Sequence, residues 1–168
     1  MRSLIESDQS GARYQSQEGC PEENKCSTRG RSRTTMRRVL TLSMIEAAIR
    51  ASWGRDTSDD PEEWSLDNPS RGQCDVTALV VNDLVGGELL SASVYLHGER
   101  VEGHMWNRLT NGLELDLTRE QFKRGEVVGS PFVRARTPEI ASPDHPRYHR
   151  YELYLALSER VLNRLRTI

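Results

Sequence analysis

The chain has 168 residues, enough for one domain with a real core, and a formal net charge of −2. That balance sets up no global field for nucleic acid, which is not expected as a partner, and no apolar run approaches the length of a membrane span. No charged-then-apolar leader is visible and the three cysteines are an odd number, so neither a secretory signal nor a disulfide framework is expected and the cytoplasm is the default compartment.

Residues 1–38 are rich in Ser, Gln, Glu, Arg and Thr and almost without apolar periodicity, as in a disordered tail. The stretch Lys25 to Arg38 is basic and holds no acid, but a charge run more often solvates a tail than binds a partner. Translated upstream sequence, with Met36 or Met44 as the biological start, would give the same abrupt change in composition. Cys20 and Cys26 lie here without the further ligands that a zinc site would need. Residues 39–168 read as one domain.

Ser43 with Glu46 forms a capping box for a first helix, whose Ile45, Ala48, Ile49, Ser52 and Trp53 share one face. An acidic loop from Asp56 to Gly72 follows, carrying Trp64, and its length suggests a lid or another functional role. Arg71-Gly72-Gln73-Cys74 closes this loop and opens a buried apolar helix that runs to about Val85, where Gly86-Gly87 stops it. Leu89 to Leu96 and Arg100 to Leu109 read as strands joined at His97-Gly98. Asn111-Gly112 signals a hairpin into a third strand, Leu113 to Leu117. Thr118 with Gln121 reads as a second capping box for a short helix through Phe122. Val127 to Ala135 reads as an edge or bulged strand because of Gly129 and Pro131. Pro138, Pro143 and Pro146 fill a loop before a last helix over about Arg147 to Arg166, with Tyr151, Tyr154, Leu155, Leu157, Val161, Leu162 and Leu165 available to pack. This order is α+β.

A thiol at the start of the second helix meets unpaired N–H groups and the positive end of the helix dipole, which favour thiolate. His104 and Asp116 follow on neighbouring strands, in the chain order of a thiol acyl-transfer triad. Strand parity tests the pairing. A two-residue Asn111-Gly112 loop would set Asn107 opposite Asp116 and turn His104 to the other face. A three-residue loop, Thr110 to Gly112, would set Trp106 opposite Asp116 and make His104 and Asp116 diagonal neighbours, roughly 7 Å apart at the backbone. Both loops suit the sequence.

The stretches Ile45 to Trp53, Asn68 to Cys74, His104-Met105-Trp106-Asn107-Arg108-Leu109, Asp116 to Phe122 and Arg150-Tyr151-Glu152-Leu153 resemble the YunG family of small bacterial proteins. The resemblance covers nearly everything after about residue 43 and implies no established activity. At fold level the Cys, His, Asp order is similar to the papain-like and transglutaminase-like superfamily, which implies a catalytic-type helix packed on a small antiparallel sheet.

In this reading Cys74 is the nucleophile, against the alternative of a small buried hydrophobe. His104 is the base, against a satisfied polar group in a strand. Asp116 orients the imidazole, against a cap for the helix that starts at Thr118. Gln73 is a candidate oxyanion donor beside the Cys74 N–H, or a residue that holds the loop. Asn107 is an alternative orienting group. Trp64, Arg71 and Trp106 are candidate substrate contacts, Trp106 and Trp53 also serving as core or site walls, and Arg71 alternatively pairing with the acidic loop. His97, His145 and His149 read as surface residues. The expected function is a thiol hydrolase or acyltransferase acting on a small amide or peptide-like substrate without a cofactor. A non-catalytic binding domain on the same frame competes with it, and a mononuclear metal site at Cys74, His104 and Asp116 ranks below both.

Overall fold

The computed structural model describes residues 39–136 and 141–168. The expected tail, with Cys20 and Cys26, and Pro138 lie outside those residues. Helix α1 spans Leu42–Arg50 and starts earlier than the Ser43 box implies. Thr41 is its cap: the extended backbone there lets Oγ1 accept the Met44 N–H at 3.2 Å. Glu46 is then free to pair with Arg50 one turn on, at 2.8 Å. Ile45, Ala48 and Ile49 face inward as the periodicity requires.

The loop to α2 is pinned along its length. Its Trp64 Nε1 donates to the Pro69 carbonyl at 3.0 Å, Ser58 Oγ to the Arg71 carbonyl at 2.8 Å, and Asn68 Nδ2 to the Gln121 carbonyl at 3.0 Å. Gly72 has φ 69°, and a Cβ there would stand 2.6 Å from the Asp60 nitrogen, so the chain needs glycine where it turns into the helix.

Helix α2, Cys74–Val85, begins and ends where the sequence puts it, with Gly86 at φ 74° as its stop. Strands β1 (Glu88–Leu96) and β2 (Glu99–Arg108) form a hairpin whose two turn residues, His97 and Gly98, both take positive φ. Strand β3 is only Glu114–Leu115 and pairs Asn107 with Leu115 and Arg108 with Glu114. Leu109 and Leu113 bond across a three-residue loop, N–H to carbonyl at 2.8 Å, and Gly112 takes φ 84°. Continued one step, this register sets Trp106 opposite Asp116.

The third strand is shorter than Leu113 to Leu117 because Asp116 turns the chain. Its Oδ1 accepts both the N–H and the hydroxyl of Thr118, at 3.2 and 3.3 Å. The Thr118–Gln121 box does not form. A single 3-10 turn, Arg119–Gln121, stands in place of the expected helix, and the Gln121 amide points elsewhere. The strand expected over Val127 to Ala135 is broken between Gly129 and Pro131 into β4 (Glu126–Val128) and β5 (Phe132–Arg134). Both pair antiparallel with β1, giving the order β3-β2-β1-β4 with β5 also beside β1. Helix α3, Tyr148–Thr167, closes the fold. Its Leu157 and Val161 are buried, whereas Leu155 and Leu162 stay largely exposed.

Helices α1, α2 and α3 share one core through Ile49, Val76, Val80, Leu117, Leu157 and Val161. On the sheet side α2 places Ala78 against Leu89 and Met105, while Leu90, Ala92 and Trp106 pack together separately. The architecture is α+β, with a helix laid on a small antiparallel sheet. No helix among the described residues is long and apolar enough to cross a membrane.

Candidate functional site

Alternation along β2 decides what surrounds His104. Met105 packs toward α2, and His104 stands beside Trp106, whose ring stacks on the imidazole at 5.2 Å between centroids. Phe122 meets the imidazole edge-on at 4.7 Å, and His104 is 0% exposed. Its Nε2 lies 2.8 Å from Asp116 Oδ2, and its Nδ1 lies 3.0 Å from Gln121 Nε2. A carboxylate only accepts, so Nε2 carries the proton and Nδ1 accepts from the Gln121 amide. One Asp116 oxygen thus holds the imidazole, and the other accepts from Thr118 in a turn, where the helix it was weighed as capping does not form.

Cys74, the first residue of α2, is half-buried, and its sulfur reaches the edge of β2. Backbone N–H groups of Met105 and Asp75 hydrogen-bond to it, which places the sulfur one residue along the chain from His104. Its side-chain partner is Asp75, with Sγ 3.7 Å from Oδ1. The thiolate expected from the helix N-terminus is not favoured. Burial, and next the Asp75 carboxylate, push the thiol pKa well up, outweighing both N–H groups. Cys74, His104 and Gln121 belong to the lining of one cavity of about 380 Å³.

The other candidates divide. The Gln73 side chain is fully buried, accepting from Thr57 Oγ1 at 3.0 Å and donating to the Gly54 carbonyl at 2.8 Å, so its amide ties the preceding turn to α2. Asn107 donates to the Ala78 carbonyl at 3.0 Å and fastens β2 to α2, away from Asp116. Trp106 Nε1 donates to Glu114 Oε2 at 2.9 Å, which makes it a wall of the imidazole pocket. Trp64 is held by the Pro69 carbonyl within its loop and does not line the cavity. Arg71 joins Asp60 and Glu102, both on the cavity wall, at 3.0 Å each. Burial alone would lower its pKa, but the two carboxylates more than offset that.

Three cavity residues make contacts that their local sequence does not show. Gln121 looks like half of a capping box, and only the fold shows it on His104 Nδ1. Arg150 binds Asp75 at 2.6 Å and also Asp59, so it crosses from α3 to the Cys74 wall. His149 is exposed, as expected, yet lies on the cavity rim 3.1 Å from Asp59. The separation in sequence hides both of these contacts. Among the described residues no group of three or more His, Cys, Asp or Glu is arranged to hold a metal ion.

A profile described as "YunG protein" matches residues 41–166. A Bacillus subtilis (strain 168) protein described as "Uncharacterized protein YunG" is 35% identical over 82 residues, which is 49% of this chain and 64% of that protein's length. No solved structure matches.

Proposed function

The chain belongs to the YunG family, and we propose that it is a thiol hydrolase or acyltransferase acting on a small amide or peptide-like substrate through Cys74, His104 and Asp116, on a papain-like or transglutaminase-like frame. The observation that carries the reading is the approach of the Cys74 sulfur to the Met105 N–H, next in the chain to an imidazole fixed by Asp116 at 2.8 Å. In the reaction Gln121 first releases Nδ1. His104 then takes the thiol proton there as sulfur bonds to the carbonyl carbon. Collapse of the adduct breaks the carbon–nitrogen bond, and Nδ1–H protonates the leaving amine. Water or a second amine, deprotonated by the same nitrogen, releases the acyl group from sulfur. Asp116 stabilises the imidazolium formed in both halves.

A raised thiol pKa and an occupied Nδ1 favour a second reading, a binding domain that keeps the frame without the chemistry. Intact-mass measurement of Cys74 acylation by p-nitrophenyl acetate, with Cys20 and Cys26 replaced, separates the two. The enzyme reading expects acetylation of Cys74 that slows at least about a hundredfold in His104→Ala and in the milder Asp116→Asn. Equal rates in all three proteins would leave the binding domain.

A further inference from the structure

A second cavity of about 410 Å³ adjoins the first and differs from it in chemistry. Leu79, Leu89 and Met105 line it from α2 and the sheet, and Tyr151, Tyr154 and Leu155 from α3. Asp75, Arg134, Arg147 and Arg150 line both cavities, so these four side chains mark the junction. Their charges are not equally engaged. Asp75 and Arg150 are bound to each other. Asp60 and Glu102, on the polar side, are held by Arg71, and Asp59 by Arg150. Arg134 and Arg147 have no carboxylate within ion-pairing distance and no side-chain hydrogen bond among the described residues. Two guanidinium groups with no ion-pair partner among the described residues, at the mouth of an apolar chamber, suit an anion whose remainder is apolar.

We infer that the two cavities form one site for an amphipathic organic anion: an aliphatic or aromatic body in the chamber between α2, α3 and the sheet, and a carboxylate at Arg134 and Arg147. The ligand then lies along the Asp75 wall, next to the Cys74 sulfur. As a substrate class, an amide bearing an apolar group and a carboxylate, this rests on the acyl-transfer reading. As a binding site it does not.

The volume suits this division. A chamber of this size is in the range that encloses a small organic ligand, and its lining is largely hydrocarbon and aromatic. The chamber supplies affinity by removing apolar surface from water, and the arginines set the direction in which the ligand enters. Arg150 is unsuited to the anion role, because Asp59 and Asp75 already occupy its fork. It ties α3 to α2 at the junction between the two chambers.

Calorimetric titration of the full chain carrying Cys74→Ala tests the site without any acyl chemistry, using octanoate, 1-octanol and acetate as probes. Octanoate is expected to bind saturably with one site per chain, with 1-octanol and acetate each at least about tenfold weaker. Arg134→Gln with Arg147→Gln, both at accessible positions, should weaken octanoate about tenfold and leave 1-octanol unchanged. Equal binding of octanoate and 1-octanol, or octanoate binding indifferent to the arginine variants, would overturn the inference. So would an absence of saturable octanoate binding while circular dichroism shows the fold intact. If octanoate binds as expected and Cys74 acylation does not depend on His104, the acyl-transfer reading falls and the anion site stands; the reverse result removes only the anion site.

Discussion

The two walls of the polar cavity are built to different standards. On the His104 wall every polar atom of the ring is engaged: Nε2 by Asp116, Nδ1 by Gln121, with Trp106 and Phe122 closing the faces. The Cys74 wall is half-buried, its thiol has one long side-chain contact, to Asp75, besides the Met105 and Asp75 N–H groups, and burial holds it protonated. A rigid, oriented imidazole therefore shares a cavity with a thiol that the resting protein holds protonated. The contrast indicates where activation must come from. Under the proposed acyl-transfer reading, a ligand that draws Gln121 off Nδ1, or shields the thiol from the Asp75 charge, would bring Cys74 and His104 into the states that reading requires.

The largest expected effect is on folding. His104→Ala removes a fully buried ring, takes from Asp116 Oδ2 its one hydrogen bond and leaves the Gln121 amide without its partner, which should cost about 2–4 kcal/mol. Cys74→Ala gives up a small, part-exposed side chain and should cost less than about 1 kcal/mol. Urea denaturation of the two variants checks the difference. Similar losses would mean the walls are equally built and the contrast is wrong.

The second effect is on pH dependence. The folded thiol has a pKa raised above its unfolded value of about 8.5, so the protonated form is the one the fold favours. Its contribution is fully present below that pH and is lost as the pH rises toward the folded value. Wild type should therefore lose stability relative to Cys74→Ala above about pH 8.5, by at most about 1.4 kcal/mol per pH unit, and by less because the thiol is partly exposed. The Tyr154 hydroxyl, also raised by burial, titrates in both proteins and cancels in the difference. Parallel stability curves from pH 7 to 10 would show that the thiol is not held protonated.

Much of this site was legible before its geometry. Cys74 at the start of α2 followed from a polar loop that ends in Gly72 and gives way to apolar residues. The His104–Asp116 approach followed from parity once the loop was known, but Asn111-Gly112 allows two loops, and local sequence cannot choose between them. The fold chooses through Leu115 and Leu117, which must turn toward the helical core. Gln121 was misread because a capping box is a local pattern, whereas its amide answers to an imidazole 17 residues away. The thiol was misread for a related reason. A helix N-terminus is visible in sequence, but the burial that overrides its dipole is supplied by β2 and by Asp75 after the chain has folded. Arg150 and His149 could not be placed beside Asp59 because the partners lie about 90 residues apart.

The third prediction concerns the contact that occupies Nδ1. Gln121→Ala frees Nδ1 to accept the thiol proton, and Cys74 alkylation by iodoacetamide at pH 7.5 should rise about fivefold, the gain vanishing when His104→Ala is added. An equal gain with and without His104 would assign the change to a loosened cavity and not to the freed nitrogen.

The smallest effect isolates charge on the Cys74 wall. Asp75 stands beside the sulfur, and its carboxylate is the second cause, after burial, of the raised thiol pKa. Asp75→Asn keeps the side chain's shape and removes the charge. Arg150 already neutralises part of that charge at 2.6 Å and retains Asp59 as a partner, so the net relief is modest. A fall of about half a pKa unit, seen as roughly threefold faster alkylation at fixed pH, is the expected size. The sign is informative in either direction. Faster alkylation means that the Asp75 carboxylate, by repulsion and by accepting from the thiol, holds the sulfur protonated, and under the acyl-transfer reading a ligand able to pull Asp75 toward Arg134 or Arg147 would activate the thiol as it binds. Slower alkylation means that Asp75 serves the thiol as a general base that takes its proton, and not chiefly as a repelling charge.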